Sequence, residues 1–171
     1  MRALSLKQPF AHVVLHYGKS IENRRWRPVD PELLEELRTS GFLLHAAKGM
    51  TRAYYAEAEA FIFHALGLDA LGAEAIAARA EFRRDFAERA KFGGIVGRTR
   101  LAEIILPNER RGLGADAIGT YPDGVDPSWH MREQFAFVLA GTTPLSFTPL
   151  KGGLGFFRVP EHIASSLDGL S

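Results

Sequence analysis

Apolar and polar positions switch between two periods along this chain, and the switches mark its elements. Residues 3–6 read as a short strand, and Gln8-Pro9 then opens a helix in which Phe10, Val13, Val14 and Tyr17 fall on one face. Pro9 suits a first helical turn, and Gly18 suits the left-handed residue that ends such a helix, so Lys19 starts the next element at a sharp change of direction. From 20 to 26 the period becomes two. Glu22, Arg24 and Trp26 share one side of that strand and Ile21, Asn23 and Arg25 the other, until Pro28 and Pro31 end it.

Phe42-Leu43-Leu44-His45-Ala46 predicts a buried strand, and after Thr51 the period turns helical through Tyr54, Ala58, Phe61, Ile62 and Ala65. Gly67 and Gly72 interrupt that pattern. An alanine-rich, charged run to about residue 91 predicts a second helix with one solvated face. Residues 94–106 predict a long strand with Arg98 and Arg100 on one side, and its glycines permit bending. The stretch 107–132 is rich in Gly, Asp and Pro, and reads as a long loop with no assigned role. Phe135, Phe137 and Leu139 then alternate as a strand, and 155–159 offer a last one after the turn at Lys151-Gly152-Gly153. Scattered strands with helices grouped near the start and middle predict an α+β fold with a curved sheet or small barrel.

A length of 171 residues predicts one domain. The formal net charge of +1 supplies no long-range attraction for nucleic acid, so any such binding needs a local basic patch, for which Arg24, Arg25, Arg27, Arg98 and Arg100 are the candidates. Cysteine is absent, which excludes disulfides, thiolate metal sites and cysteine nucleophiles and fits a reducing cytoplasm. No apolar run has the length or flanks of a leader or membrane span, so the expectation is a cytoplasmic protein with no membrane partner. His12 and His16 stand one helical turn apart, but no third ligand accompanies them, so no metal is expected there and no cofactor elsewhere.

Leu6-Lys7-Gln8-Pro9-Phe10-Ala11, followed by Gly18-Lys19-Ser20-Ile21-Glu22-Asn23-Arg24-Arg25-Trp26, resembles the opening of ASCH domains, whose signature is Gly-Lys-x-x-Glu-x-Arg. Leu44-His45-Ala46-Ala47-Lys48, Gly94-Ile95-Val96-Gly97 and Pro149-Leu150-Lys151-Gly152-Gly153-Leu154-Gly155-Phe156 resemble further family segments, in order. The resemblance implies a PUA-like β-barrel flanked by helices, with a cleft beside the signature and a general association with RNA, transcription coactivation or nucleotide chemistry. Some small members are amidohydrolases on acetylated cytidine and others are described as nucleases. The helical region of residues 51–91 is then an insertion relative to the smallest members.

Within that frame Lys19, Glu22 and Arg24 are the leading site residues. In a binding module, Lys19 and Arg24 contact phosphate while Glu22 orients Arg24 or accepts from a base amino group. In a hydrolase acting on a modified nucleoside or on RNA, Lys19 is a base or nucleophile of lowered pKa and Glu22 relays the proton. As a structural ion pair the same run would do neither. Trp26 shares the face of Glu22 and Arg24 and is a candidate to stack on a base of single-stranded nucleic acid, whereas Phe10 and Tyr17 read as packing residues. His45 and Lys48 complete the candidate ligand set through the resemblance, against the alternative of a buried structural histidine. Lys151 joins them beside a glycine-rich segment that either approaches phosphate or makes a tight turn. A third reading is a protein-interaction domain that docks on the two central helices, its partner unnamed by the sequence.

Overall fold

The computed structural model describes residues 1–107 and 121–168. Its strands are β1 (Arg2–Leu6), β2 (Ile21–Arg24), β3 (Phe42–Ala46), β4 (Gly94–Ile105), β5 (Phe135–Pro149) and β6 (Phe156–Arg158). They form one sheet in the order β2-β5-β4-β3-β1-β6, curled into a half-barrel, in which β1 and β3 run parallel and the other neighbours antiparallel. Five helices accompany it among the described residues: α1 (Phe10–His16), α2 (Pro31–Thr39), α3 (Arg52–Ala65), α4 (Ala73–Arg89) and α5 (Glu161–Asp168). The α+β expectation is met at this level. Among the described residues no helix is long and apolar enough to cross a membrane.

Curvature comes from the two longest strands. Their pairing shifts register between Ile95 and Gly97, between Arg98 and Arg100, and between Leu101 and Glu103, and each such irregularity bends and twists the ribbon. Gly97 sits at a tight approach, since a Cβ there would lie 2.5 Å from Leu15 Cδ2 and 2.9 Å from the Thr143 carbonyl oxygen.

Both faces are covered along β3 and the first five residues of β5, which are buried throughout, whereas β4 alternates between buried and exposed positions from Gly97 to Arg100. Along β5, Phe135, Phe137 and Leu139 enter one cluster with Leu4, Leu44 and Leu37, while Ala136 and Val138 enter another with Ile62, Phe82 and Trp129 beneath α1, α3 and α4. A third cluster seats α5 through Ala164 and Leu167 on Ala3, Leu43 and Ile95.

Several boundaries differ from the sequence expectation. Asp30-Pro31 starts a helix instead of merely ending a strand: the Asp30 side chain accepts from the Glu32 and Leu33 amides, Pro31 occupies the first turn, and Leu37 is buried. β2 stops at Arg24, which leaves Trp26 beyond the strand, and β5 runs ten residues past Leu139 because β4 pairs with it through Pro149. Of the loop at 107–132, residues 108–120 lie outside the described part, while Pro127–Trp129 form a 3-10 turn with Trp129 and His130 buried.

Candidate functional site

The two edge strands of the half-barrel, β2 and β6, do not pair with each other. Side chains bridge that seam. Trp26 meets Phe137 and Phe156 edge-on at ring separations of 5.6 and 5.9 Å, and Arg24 Nη2 donates to the Ser5 carbonyl at 2.6 Å. Between the bridged edges opens a cleft of about 660 Å³.

Its floor is built by the local sequence. Gly18, at φ +71, turns the chain out of α1, and the Lys19 amide donates back to the Val13 carbonyl at 3.3 Å. That turn sends the Lys19 side chain inward, where it is 2% exposed. Its ammonium donates to the Ile21 carbonyl and to Glu22 Oε2, the latter at 3.3 Å, and lies 5.3 Å from the centre of the Phe10 ring. Arg24 Nη2 holds the other carboxylate oxygen, Oε1, at 3.0 Å. The period of two in β2 places Glu22 and Arg24 together, as their spacing predicts. Lys19, Glu22, Arg24 and the Ser5 carbonyl thus form one continuous polar chain, and Arg24 Nε is buried with no hydrogen bond among the described residues.

Electrostatically the floor is under tension. Burial pushes the Lys19 ammonium below its ordinary value, Glu22 pulls it back up, and Arg24 adds to the downward push. The amine is committed to Glu22 and Ile21 and turned away from solvent, so the exposed cations lining the cleft are Lys7 and Arg25. Phe10, Tyr54 and Trp26 supply its aromatic surface. Phe10, which reads as a packing residue in the sequence, is half-buried at this wall. Tyr17 does pack, against Phe82, and donates its hydroxyl to Asp85 at 3.0 Å.

No protein-family model matches the chain, and no curated protein matches it.

The remaining candidates fall elsewhere. Lys19, Glu22, Arg24 and Trp26 line the cleft, while His45, Lys48 and Lys151 do not. His45 is 2% exposed, and its Nε2 donates to the Leu150 carbonyl at 2.9 Å, which leaves Nδ1 facing Ser5 Oγ at 3.1 Å. Ser5 Oγ also reaches the Gly153 carbonyl at 3.2 Å. Gly152 packs so tightly here that a Cβ would lie 2.5 Å from His45 Cε1, so the glycine-rich segment approaches a histidine ring closely. Through Ser5, His45 secures the loop that forms the cleft's far wall at Gly153, Leu154 and Gly155. Lys48 and Lys151 are exposed.

The candidate basic patch divides. Arg24 and Arg25 line the cleft, whereas Arg98 and Arg100 line a separate hollow of about 190 Å³ with Thr39, Ser40 and Gly141. His12 and His16 are occupied by neighbours: His12 Nε2 faces Asp85 Oδ2 at 2.8 Å, and His16 Nδ1 accepts from Arg89 Nη2 at 2.9 Å.

Several cleft residues carry no local signal in the sequence. Ser5, Lys7, Tyr54, Met131 and Gln134 come from three separate segments and meet at the seam. Asn23 fixes one of these segments. Its amide donates to the Trp129 carbonyl at 2.9 Å and accepts from the Met131 amide at 2.8 Å, which clips the 129–131 backbone to β2.

Proposed function

We propose that this chain is an ASCH-type domain of PUA-like fold whose cleft holds a base of RNA or of a nucleotide. The observation that carries the reading is the Lys19–Glu22–Arg24 chain on the floor of a roughly 660 Å³ cleft with Phe10, Tyr54 and Trp26 around it. A planar base gains from an aromatic face, and a carboxylate held by two cations keeps lone pairs for ring or amino N–H groups. In this reading Lys19 positions Glu22, and phosphate contact falls to Lys7 and Arg25. A formal net charge of only +1 is no obstacle, because those two cations act locally.

The test is titration of labelled single-stranded RNA and of nucleoside monophosphates into wild type, Trp26→Ala and Glu22→Gln at low and moderate salt. Loss of one stacking side chain corresponds to about 1–3 kcal/mol, or roughly five- to more than hundredfold in affinity. Binding that weakens with salt and with both substitutions supports the reading. Absence of binding to every probe removes it.

A hydrolytic second reading rests on one specific observation: burial lowers the proton affinity of the Lys19 amine, which lies 3.3 Å from a carboxylate. Such a pair can take a proton from water as it adds to an acyl carbonyl and return it to the departing nitrogen as the C–N bond breaks. Release of acetate from acetylated cytidine, abolished by Lys19→Met, supports this version; intact substrate with wild type ends it. A denaturing gel of the incubated RNA tests the ribonuclease form.

A further inference from the structure

Helix α3 brings a polar group to the cleft that the polar chain on the floor does not use. Tyr54 and Ala58, one turn apart on α3, both line the cavity. Phe10 meets the Tyr54 ring edge-on with centroids 6.4 Å apart, and Lys7 Nζ lies 4.6 Å from its centre, so the ring is held between two neighbours.

The hydroxyl differs from every other phenol in the chain. Of the four tyrosines, Tyr17 donates to Asp85, Tyr55 bonds Glu59 and Tyr121 pairs with His130 Nδ1 at 2.6 Å. The Tyr54 hydroxyl makes no hydrogen bond among the described residues. Burial, with a further push from Glu22, raises its pKa to about 12, so it remains an O–H donor at neutral pH. Tyr54, Glu22 and Arg24 line the same cavity.

The cleft therefore presents an acceptor, Glu22, and a donor, Tyr54, to the same bound molecule. Phosphate has acceptors only, so it satisfies Tyr54 but not Glu22. A nucleobase carries an N–H and an acceptor side by side on its Watson–Crick edge. Resting on the base-binding reading above, we propose that Tyr54 and Glu22 together grip the Watson–Crick edge of an unpaired base, with Tyr54 donating to its ring nitrogen or carbonyl oxygen. Duplex RNA hides that edge and is excluded.

Tyr54→Phe removes the donor while keeping the ring and its contacts with Phe10 and Lys7. Wild type and Tyr54→Phe are titrated with guanosine monophosphate, its N1-methylated form, ribose 5-phosphate, a single-stranded RNA and the same RNA in duplex. The expected results are these: Tyr54→Phe weakens guanosine monophosphate and single-stranded RNA about three- to tenfold, the size of one neutral hydrogen bond. Methylation, duplex formation and removal of the base each abolish or sharply weaken wild-type binding, and the variant melts at the wild-type temperature because no protein contact is lost. Equal affinity of wild type and variant, or duplex binding as well as single-stranded RNA, overturns the Watson–Crick grip and leaves a base cleft intact, whereas ribose phosphate binding as well as guanosine monophosphate overturns the base cleft too. Failure of wild type to bind any of the five overturns both.

Discussion

Replacing Glu22 by glutamine keeps the size of the side chain and removes the charge facing Lys19. The Lys19 side chain is 1% exposed and that of Glu22 9%, so water cannot take over the lost role. At a separation of 3.3 Å and an effective dielectric of about 20, the Coulomb attraction is on the order of 5 kcal/mol. Removing one partner of a buried pair typically costs about 3–5 kcal/mol, because the survivor is left uncompensated. Arg24 also loses a partner, but it is partly exposed and regains hydration. For a chain of 171 residues such a loss lowers Tm by roughly 6–20 °C.

Urea and thermal denaturation of Glu22→Gln measure the loss directly, and the Lys19→Met/Glu22→Gln double variant recovers most of it, since a neutral pair carries no buried charge. The pH dependence adds a sign. Folded Lys19 releases its proton below the ordinary 10.5, so between its folded and unfolded pKa the unfolded chain holds more protons and stability rises with pH. Glu22 is what raises the folded value, so its removal extends this window to lower pH, and the variant regains stability on the alkaline side sooner than wild type. A single variant that loses less than about 1 kcal/mol, with no rescue in the double, refutes the uncompensated-charge account.

Asn23→Ala is expected to cost about 1–3 kcal/mol, because it strips partners from the Trp129 carbonyl and the Met131 amide; urea midpoints followed by tryptophan fluorescence check it. On the acid side, burial holds folded His12 below 6.5, so as pH falls through 6.5 the unfolded chain binds the extra proton and stability declines toward the folded value. Urea midpoints across about pH 5–8 should show that slope reduced in His12→Gln, with the remainder traced to His16, whose value burial and Arg89 also lower.

The run Gly18 to Arg24 discloses its chemistry locally: a glycine in the left-handed region aims the next side chain inward, and a period of two aligns Glu22 with Arg24. Buried strands such as Phe42–Ala46 are equally plain, since both faces are covered and the run is apolar. Asp30-Pro31 was ambiguous because the same pair can stop one element and start another. The far half of β5 was hidden because Gly141 and Pro144 resemble a turn, and extension there depends on β4 supplying partners.

His45 illustrates what spacing cannot decide. It shares the sheet face of Leu43, toward Phe157 and the α5 side, so proximity in sequence to Lys48 brought neither residue to the cleft. Tyr54 is the converse: helical period marks its face, but only the docking of α3 beside Phe10 turns that face toward Glu22. Local backbone preference and burial pattern were enough to mark the strands, α1, α3 and α4 and to align Glu22 with Arg24, but not α2, α5 or the far half of β5. The cleft itself exists where two unpaired edges of a curled sheet come together, and that depends on long-range pairing and register, which no window of sequence contains.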